Sequence, residues 1–195
     1  MAIGSGRRGA TGSRQVRIIG GEWRRRLLRF PDVPDLRPTP DRVRETLFNW
    51  LGQDLQGRRC LDPFAGSGAL GFEAASRGAA LVTMIERDMR AFAALRGNAR
   101  LLNAAHAELV HGDAFDFLQR DDRHFDLVFL DPPYRLALLE RMLERLPPHL
   151  APAAEIYLEA AERPQIPPDF KVMRSARAGQ VEYLLLQWRP DEEAT

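Results

Sequence analysis

Four carboxylates fall at the ends of predicted strands, where an α/β protein can carry out chemistry. Each ends a short apolar run: Asp62, Glu86, Asp113 and Asp131. The carboxyl ends of parallel strands meet at one edge of a sheet, and ligands bind along that edge. A row of carboxylates there can accept hydrogen bonds from polar ligands. Each acid also has a plainer explanation, since Asp113 can cap the next helix and Asp62 can cap the loop after it.

A glycine loop follows the first of these acids. Gly66, Gly68 and Gly71 fit the pattern Gly-x-Gly-x-x-Gly, and Glu86 lies 20 residues after Gly66. Glycines let the backbone approach a ligand closely, and the start of the next helix favours a negatively charged group. The same spacing is the dinucleotide-binding fingerprint, and a structural turn without a ligand also fits it. The glycines alone therefore leave the ligand class open.

From residue 58 onward, strand-like and helix-like segments alternate. A helix is predicted from Ala69 to Arg77, a second one is capped by Asp88, and a third ends before Pro147. The last two strand segments, 170–174 and 181–188, are joined too closely for a helical crossover, so they must pair antiparallel. The pattern predicts a doubly wound, mostly parallel α/β sheet. The other predicted strands are 81–86, 108–113, 125–130 and 155–159.

Charge is distributed unevenly along the chain. Residues 1–59 carry 13 arginines against six acidic residues, whereas residues 60–195 carry 15 basic against 21 acidic residues. A basic end on an acidic body favours binding to a polyanion such as nucleic acid. Trp23, beside the arginines 24–26, suits base stacking and phosphate contact. A charged, solvated edge strand explains the same residues equally well.

The basic end is predicted to contain a hairpin and a helix. Gly20-Gly21 separates two strand-like segments and is interpreted as the hairpin turn. Thr39 is the predicted N-cap of the helix, Pro40 is its first residue, and Gly52 follows its end. One stripe of this helix is apolar, and two arginines are expected on its more polar faces. The stripe consists of Val43, Leu47, Trp50 and Leu51, and the arginines are Arg42 and Arg44.

Several classes of protein are disfavoured. The single cysteine, Cys60, excludes an internal disulfide and lies in an apolar run, where a buried and inert thiol is expected. The four histidines have no ligand spacing, so no metal is predicted. Neither a secretory signal nor an apolar run of membrane-spanning length is found. We expect a cytoplasmic protein without membrane contact, and a monomer as the default state.

Two motifs resemble those of a known superfamily. The segment 62–68, Asp-Pro-Phe-Ala-Gly-Ser-Gly, resembles the first motif of class I S-adenosylmethionine-dependent methyltransferases. Asp131-Pro132-Pro133-Tyr134 resembles the (Asn/Asp)-Pro-Pro-(Tyr/Phe) motif of members that methylate exocyclic amino groups of bases. Three stretches, 17–23, 36–51 and 60–71, further resemble the bacterial 16S ribosomal RNA guanine-N2 methyltransferases, the type acting on guanine 966. This resemblance covers nearly all of residues 16–188.

The resemblance implies a fold and a domain organisation. The fold is a seven-stranded Rossmann-like methyltransferase sheet with an antiparallel C-terminal strand pair. Composition predicts that residues 1–13 are a mobile basic arm, and residues 14–57 are expected to be an RNA-binding hairpin and helix. Residues 58–190 are the methyltransferase domain, and residues 191–195 an acidic tail. The implied substrate is 16S rRNA in an assembled or partly assembled small ribosomal subunit.

The resemblance also assigns roles to residues. S-adenosyl-L-methionine is the methyl donor, with its amino acid end at Asp62 and the glycine loop, its ribose at Glu86 and its adenine at Asp113. Asp131 and the Pro132 carbonyl accept the hydrogens of the guanine amino group, and Tyr134 stacks on the base. The full cofactor set is Asp62, Phe64, Gly66, Gly68, Glu86, Asp113 and Ala114. The expected nucleic-acid contacts are Arg17, Trp23, Arg24, Arg25, Arg26 and Arg42.

Three alternatives remain. A DNA adenine-N6 methyltransferase shares Asp-Pro-Pro-Tyr, but such enzymes usually have a separate recognition domain, and no stretch here is long enough for one. A non-catalytic RNA-binding assembly factor with this fold would not need an intact Asp131 motif. A dinucleotide-dependent oxidoreductase would have no use for that motif, and it would normally have an apolar residue before the glycines.

Overall fold

The computed structural model describes residues 13–33, 36–132 and 136–190 of the chain. Within them the strands are β1 (Ser13–Arg17), β2 (Leu27–Pro31), β3 (Arg59–Asp62), β4 (Leu81–Glu86), β5 (Ala107–His111), β6 (Phe125–Leu130), β7 (Leu150–Ala160), β8 (Phe170–Ala178) and β9 (Val181–Trp188). The helices are α1 (Asp41–Leu51), α2 (Ala69–Ser76), α3 (Met89–Leu102), α4 (Ala114–Leu118) and α5 (Leu136–Arg145), followed by a short 3₁₀ turn, Pro147–His149.

Seven strands form one sheet in the order β5-β4-β3-β6-β7-β9-β8. Strands β3 to β7 are parallel to one another, and β9 runs antiparallel between β7 and β8. The predicted α/β fold and its antiparallel C-terminal pair are therefore confirmed. The chain builds outward from β3 through β4 to β5 and then returns to place β6 on the other side of β3. The sheet thus has a topological switch point between β3 and β6, the place where such sheets bind ligands.

Helices α2 and α3 form where the sequence pattern predicts helices. Asp88 caps α3 as predicted, because its carboxylate accepts hydrogen bonds from the backbone of Arg90 and Ala91. All eight residues of α2 are buried, as expected for a helix covered on both sides. Cys60 is fully buried, and burial raises the pKa of its thiol to about 12. Among the described residues no helix is both long and apolar enough to span a membrane.

The N-terminal hairpin differs from its prediction. Strands β1 and β2 pair antiparallel, but residues 18–26 connect them, so Gly20-Gly21 is not the turn. These glycines instead lie against α2, where a Cβ on Gly21 would overlap the backbone oxygen of Ser76. Strand β1 begins at Ser13, within the segment predicted to be mobile, and residues 1–12 and 191–195 lie outside the described residues.

Helix α1 begins and packs differently from its prediction. Pro40, not Thr39, is the N-cap residue, and no side chain caps the helix. The predicted end at Gly52 is confirmed. Arg44, expected on a polar face, is fully buried, because its guanidinium finds acidic partners inside the protein. The apolar stripe is buried as predicted except for Trp50, which is half-buried.

A buried ion cluster joins the N-terminal segment to α2. Glu73 of α2 and Arg44 of α1 are both fully buried, with 3.2 Å between Oε2 and Nη1. The Glu73 carboxylate also accepts hydrogen bonds from the backbone of Ile19 and Gly20 and from Arg77. Apolar residues of β1 and β2 belong to the same core cluster as α2 and β4. The predicted domain boundary at residues 57–58 is therefore not a boundary of the hydrophobic core.

Candidate active site

The acids predicted to share one edge of the sheet do follow adjacent parallel strands. Asp62 ends β3 and Glu86 ends β4, while Asp131 comes directly after β6 and Asp113 two residues after β5. Because these strands lie in the order β5-β4-β3-β6, the carboxylates form a row across the switch point. Four strands from different parts of the sequence thus each place a carboxylate at one edge of the sheet.

Asp62 is the most enclosed member of the row. Its side chain is buried, and Oδ2 accepts a hydrogen bond of 3.2 Å from the backbone N–H of Gly71. Burial, with a further contribution from the negative charge of Glu86, raises the pKa of the Asp62 carboxyl to about 7. Gly71 permits this contact, because a Cβ there would overlap the side chain of Met84. A cationic group placed beside Asp62 would favour its ionised form.

Glu86 holds the glycine loop in place. Its Oε2 accepts a hydrogen bond of 2.8 Å from the backbone of Gly66, and Oε1 accepts one of 2.6 Å from Asp88. Gly66 and Gly68 have φ angles of 52° and 78°, a left-handed conformation that favours glycine. Each oxygen of a carboxylate has a second lone pair, so these bonds leave Glu86 able to accept further donors.

Asp113 has the capping role that its sequence position allowed. Its Oδ1 accepts hydrogen bonds from the backbone of Phe115 at 2.8 Å and of Asp116 at 3.4 Å, which begins α4. The Asp113 side chain is exposed, and Ala114 beside it is buried. Phe64, in the loop after Asp62, is half-buried and packs against apolar residues of the core. Capping uses only one carboxylate oxygen and so is compatible with ligand contact.

Asp131 lies at the other side of the switch point. The hydroxyl of Thr39 donates a hydrogen bond of 3.2 Å to its Oδ2. Burial raises the pKa of the Asp131 carboxyl well above its ordinary value, and the negative charges of Glu159 and Asp62 raise it further. Pro132 is buried. Pro133 and Tyr134 lie outside the described residues, so the stacking role of Tyr134 stays a prediction.

Known proteins share this architecture. The family model named conserved hypothetical protein 95 matches residues 16–187. Ribosomal RNA small subunit methyltransferase D of Escherichia coli is 47% identical over 182 residues, which cover 91% of this chain and 92% of that protein. The chain belongs to the methyltransferase D family.

Two further relatives agree with this assignment. The methyltransferase D of Haemophilus influenzae is 42% identical over 181 residues, covering 89% of this chain and 94% of that one. A solved putative methyltransferase from Escherichia coli superimposes with a TM-score of 0.82 at 47% identity, covering 90% of this chain and 98% of that one. The resemblance found in the motifs is thus confirmed at the level of the family, and the fold is that of a methyltransferase.

The basic N-terminal residues of this family member are not all available to a ligand. Trp23 is buried, its ring stacks on His106 with 5.6 Å between centroids, and its backbone is bound to Ser76. The prediction that Trp23 stacks on a base is therefore wrong for this structure, since the apolar ring completes the core between the loop and the body. The arginines 24–26 are exposed, and so is Arg42. Arg17 is exposed as well and is bound to Asp41.

One acid at the same edge escaped the sequence analysis. Glu159 lies at the end of β7, next to β6, and the hydroxyl of Tyr157 donates a hydrogen bond of 2.8 Å to its Oε1. Burial raises the pKa of the Glu159 carboxyl. The signal was present, because Glu159 ends a predicted strand just as the other acids do. In the described residues, no three potential metal ligands lie close enough together to hold an ion.

Proposed function

We propose that this protein transfers a methyl group from S-adenosyl-L-methionine to the exocyclic N2 amino group of a guanine in 16S rRNA. By resemblance the guanine is the one at position 966, and the reaction belongs to maturation of the small subunit in the cytoplasm. The observation that carries this proposal is the row of carboxylates across the switch point, with Asp131-Pro132 at one end, in a chain of the methyltransferase D family.

The residues on the β5-β4-β3 side fit the proposed donor. S-adenosylmethionine supplies an electrophilic methyl group on a cationic sulfur. The carboxylates of Asp62, Glu86 and Asp113 are acceptors for its ammonium, ribose hydroxyl and adenine amino groups. Gly66 adds a close backbone approach, since its left-handed φ leaves no side chain in the way. A loop of this kind therefore suits a ligand rich in hydrogen-bond donors with one cationic end.

Asp131 and Pro132 fit the acceptor base. The amino nitrogen of guanine is a poor nucleophile, because its lone pair is delocalised into the ring. A carboxylate and a backbone carbonyl that accept its two hydrogens turn the lone pair toward the methyl group and stabilise the positive charge forming on nitrogen. Pro132 has a fixed φ, which keeps its carbonyl aimed. The hydrogen bond from Thr39 likewise restricts the Asp131 carboxylate to one orientation.

The exposed arginines of the N-terminal segment fit an RNA substrate. Arg24, Arg25 and Arg26 are exposed residues of the loop between β1 and β2, and Arg42 lies in the first turn of α1. Arg17 is close to Arg42 in the fold, because it is bound to Asp41. Phosphate contacts by such side chains provide affinity and orientation without sequence preference. We propose that this face orients the RNA while the carboxylate row selects the base.

The test offers labelled S-adenosylmethionine with three acceptors in parallel: undermethylated small ribosomal subunits, protein-free 16S RNA and duplex DNA. Label in ribosomal RNA that digests to N2-methylguanosine is expected. Label in DNA adenine would replace this proposal with a DNA methyltransferase. No label in any acceptor, with the RNA still bound, would indicate a non-catalytic assembly factor. A rise in melting temperature with NAD instead of S-adenosylmethionine would indicate an oxidoreductase.

A further inference from the structure

The carboxylate row has a fifth member beyond Asp131. Strands β6 and β7 are parallel neighbours with Leu130 paired to Leu158, so Asp131 and Glu159 are the next residues along the two strands. Strand β7 lies farther from β3, β4 and β5 than β6 does. Glu159 therefore lies on the side of Asp131 away from the proposed donor residues, which is where an acceptor base must enter.

Fixed polar groups hold this pair of acids. The fully buried Tyr157 donates its hydroxyl hydrogen to Glu159, and Thr39 donates to Asp131. Across residues 13–33, 36–132 and 136–190, neither acid forms an ion pair with an arginine, lysine or histidine. Two adjacent carboxylates repel each other. A ligand edge with several adjacent N–H donors would relieve that repulsion.

The Watson–Crick edge of guanine has this arrangement of donors. Its N1–H lies directly beside the two hydrogens of the N2 amino group, whereas N1 of adenine is an acceptor. We propose that Glu159 accepts the N1–H of the target guanine while Asp131 and the Pro132 carbonyl accept the hydrogens of its amino group. Glu159 is then a specificity residue that selects guanine, an inference that rests on the proposed function.

The base 2-aminopurine separates this role from a structural one. It has the amino group that becomes methylated, but its N1 carries no hydrogen and is an acceptor. An ionised Glu159 repels that nitrogen, whereas the amide N–H of Glu159→Gln can donate to it. The experiment ligates either guanine or 2-aminopurine into 16S RNA at the target position and reconstitutes the small subunit. It then compares kcat/KM for the two acceptors with each enzyme.

Wild-type protein is expected to prefer guanine by about 100-fold, because 2-aminopurine lacks the donor and a hydrogen bond to a charged acceptor is worth up to about that factor. In Glu159→Gln this ratio should fall by about tenfold or more. A ratio that is unchanged in the variant, or near one in the wild type, would overturn the proposal. The ratio is measured within one enzyme preparation, so the fraction of folded protein cancels.

Two controls complete the experiment. Glu155→Gln changes a carboxylate in the middle of β7, four residues before Glu159, where it pairs with Arg58, and should leave the ratio unchanged. If Glu159→Gln turns over both acceptors too slowly, the ratio of dissociation constants for the two subunits gives the same comparison, and an unchanged ratio again overturns the proposal. Failure of the wild type to methylate guanine would instead overturn the proposed function itself, and this inference with it.

Discussion

The hydroxyl of Thr39 donates a hydrogen bond to the carboxylate of Asp131, although 92 residues separate them. The backbone oxygen of Thr39 accepts a second bond, of 3.1 Å, from the buried Arg44, which is in turn paired with Glu73. One continuous set of contacts thus joins the candidate catalytic acid to α1 and α2. The segment before α1 therefore orients the Asp131 carboxylate of the candidate active site, and it also connects the basic N-terminal hairpin to α1.

Replacing Asp131 by alanine should remove catalysis while donor binding survives. The substitution deletes the acceptor that is proposed to stabilise the charge forming on the guanine nitrogen, and losses of one such group are roughly 100-fold or more in kcat. Methyl transfer to small ribosomal subunits measures kcat, and calorimetric titration with S-adenosylmethionine measures donor affinity. Equal loss of both would mean that the variant is misfolded, and full activity would exclude Asp131 from the reaction.

Replacing Glu86 by alanine should weaken donor binding by about tenfold to 100-fold, as expected for lost hydrogen bonds to a charged group. The expected loss combines the proposed ribose contact with release of Gly66, whose backbone N–H donates to Glu86. Asp88→Ala is the matched control, because it removes an acid two residues away that caps α3 and pairs with the exposed Arg90. That control should lower the melting temperature but keep donor affinity. Unchanged affinity in Glu86→Ala would contradict the ribose role.

Replacing Arg24, Arg25 and Arg26 together by glutamine should weaken RNA binding and flatten its salt dependence. Each lost phosphate contact reduces the slope of log K against log salt by about 0.7 to 0.9. Filter binding of 16S RNA at several salt concentrations measures both effects. The control replaces the exposed basic residues of β8, Lys171, Arg174 and Arg177, by glutamine. If both triple variants behave alike, the loop is not the RNA contact.

Replacing Glu73 by alanine should lower the free energy of unfolding by about 3–5 kcal/mol, because it removes one of the two acidic partners of the buried Arg44 and the acidic partner of the buried Arg77. It also removes the acceptor for the backbone of Ile19 and Gly20. Urea denaturation measures the change. The comparison is Glu155→Ala, which breaks a partly exposed pair and should cost about 1 kcal/mol or less. A similar small cost for Glu73→Ala would show that the N-terminal segment does not depend on this cluster.

Donor affinity should rise between pH 5.5 and pH 7.0. Because burial raises the pKa of Asp62 to about 7, this carboxyl is mostly protonated at pH 5.5 and half ionised at pH 7.0. The ammonium of the donor stays charged throughout this range and prefers the ionised carboxylate. We therefore expect about tenfold weaker binding at pH 5.5, measured by calorimetric titration. Asp62→Asn should bind weakly at both pH values, and a wild-type affinity that falls with rising pH would contradict the assignment.

Local sequence patterns were sufficient to predict much of the fold of this protein. The alternation of strands and helices from residue 58 predicted the parallel sheet, and the short link near Gly179 required the antiparallel pair. The cap at Asp88 and the row of strand-end acids were also predicted correctly. These features depend on periodicity, capping and strand direction, which are properties of neighbouring residues in the chain.

Contacts between residues far apart in the sequence determined the features that local patterns did not predict. Arg44 is buried because Glu73 of another helix neutralises its charge. The Thr39 hydroxyl does not cap α1 and instead donates a hydrogen bond to Asp131. Trp23, which three arginines follow in the sequence, lies in the core because α2 binds its loop. A sequence shows which side chains are charged or apolar, but not which partner from a distant element will meet them. By itself this sequence determined the sheet and its row of acids, while tertiary packing decided which polar residues are buried and how the acids are oriented.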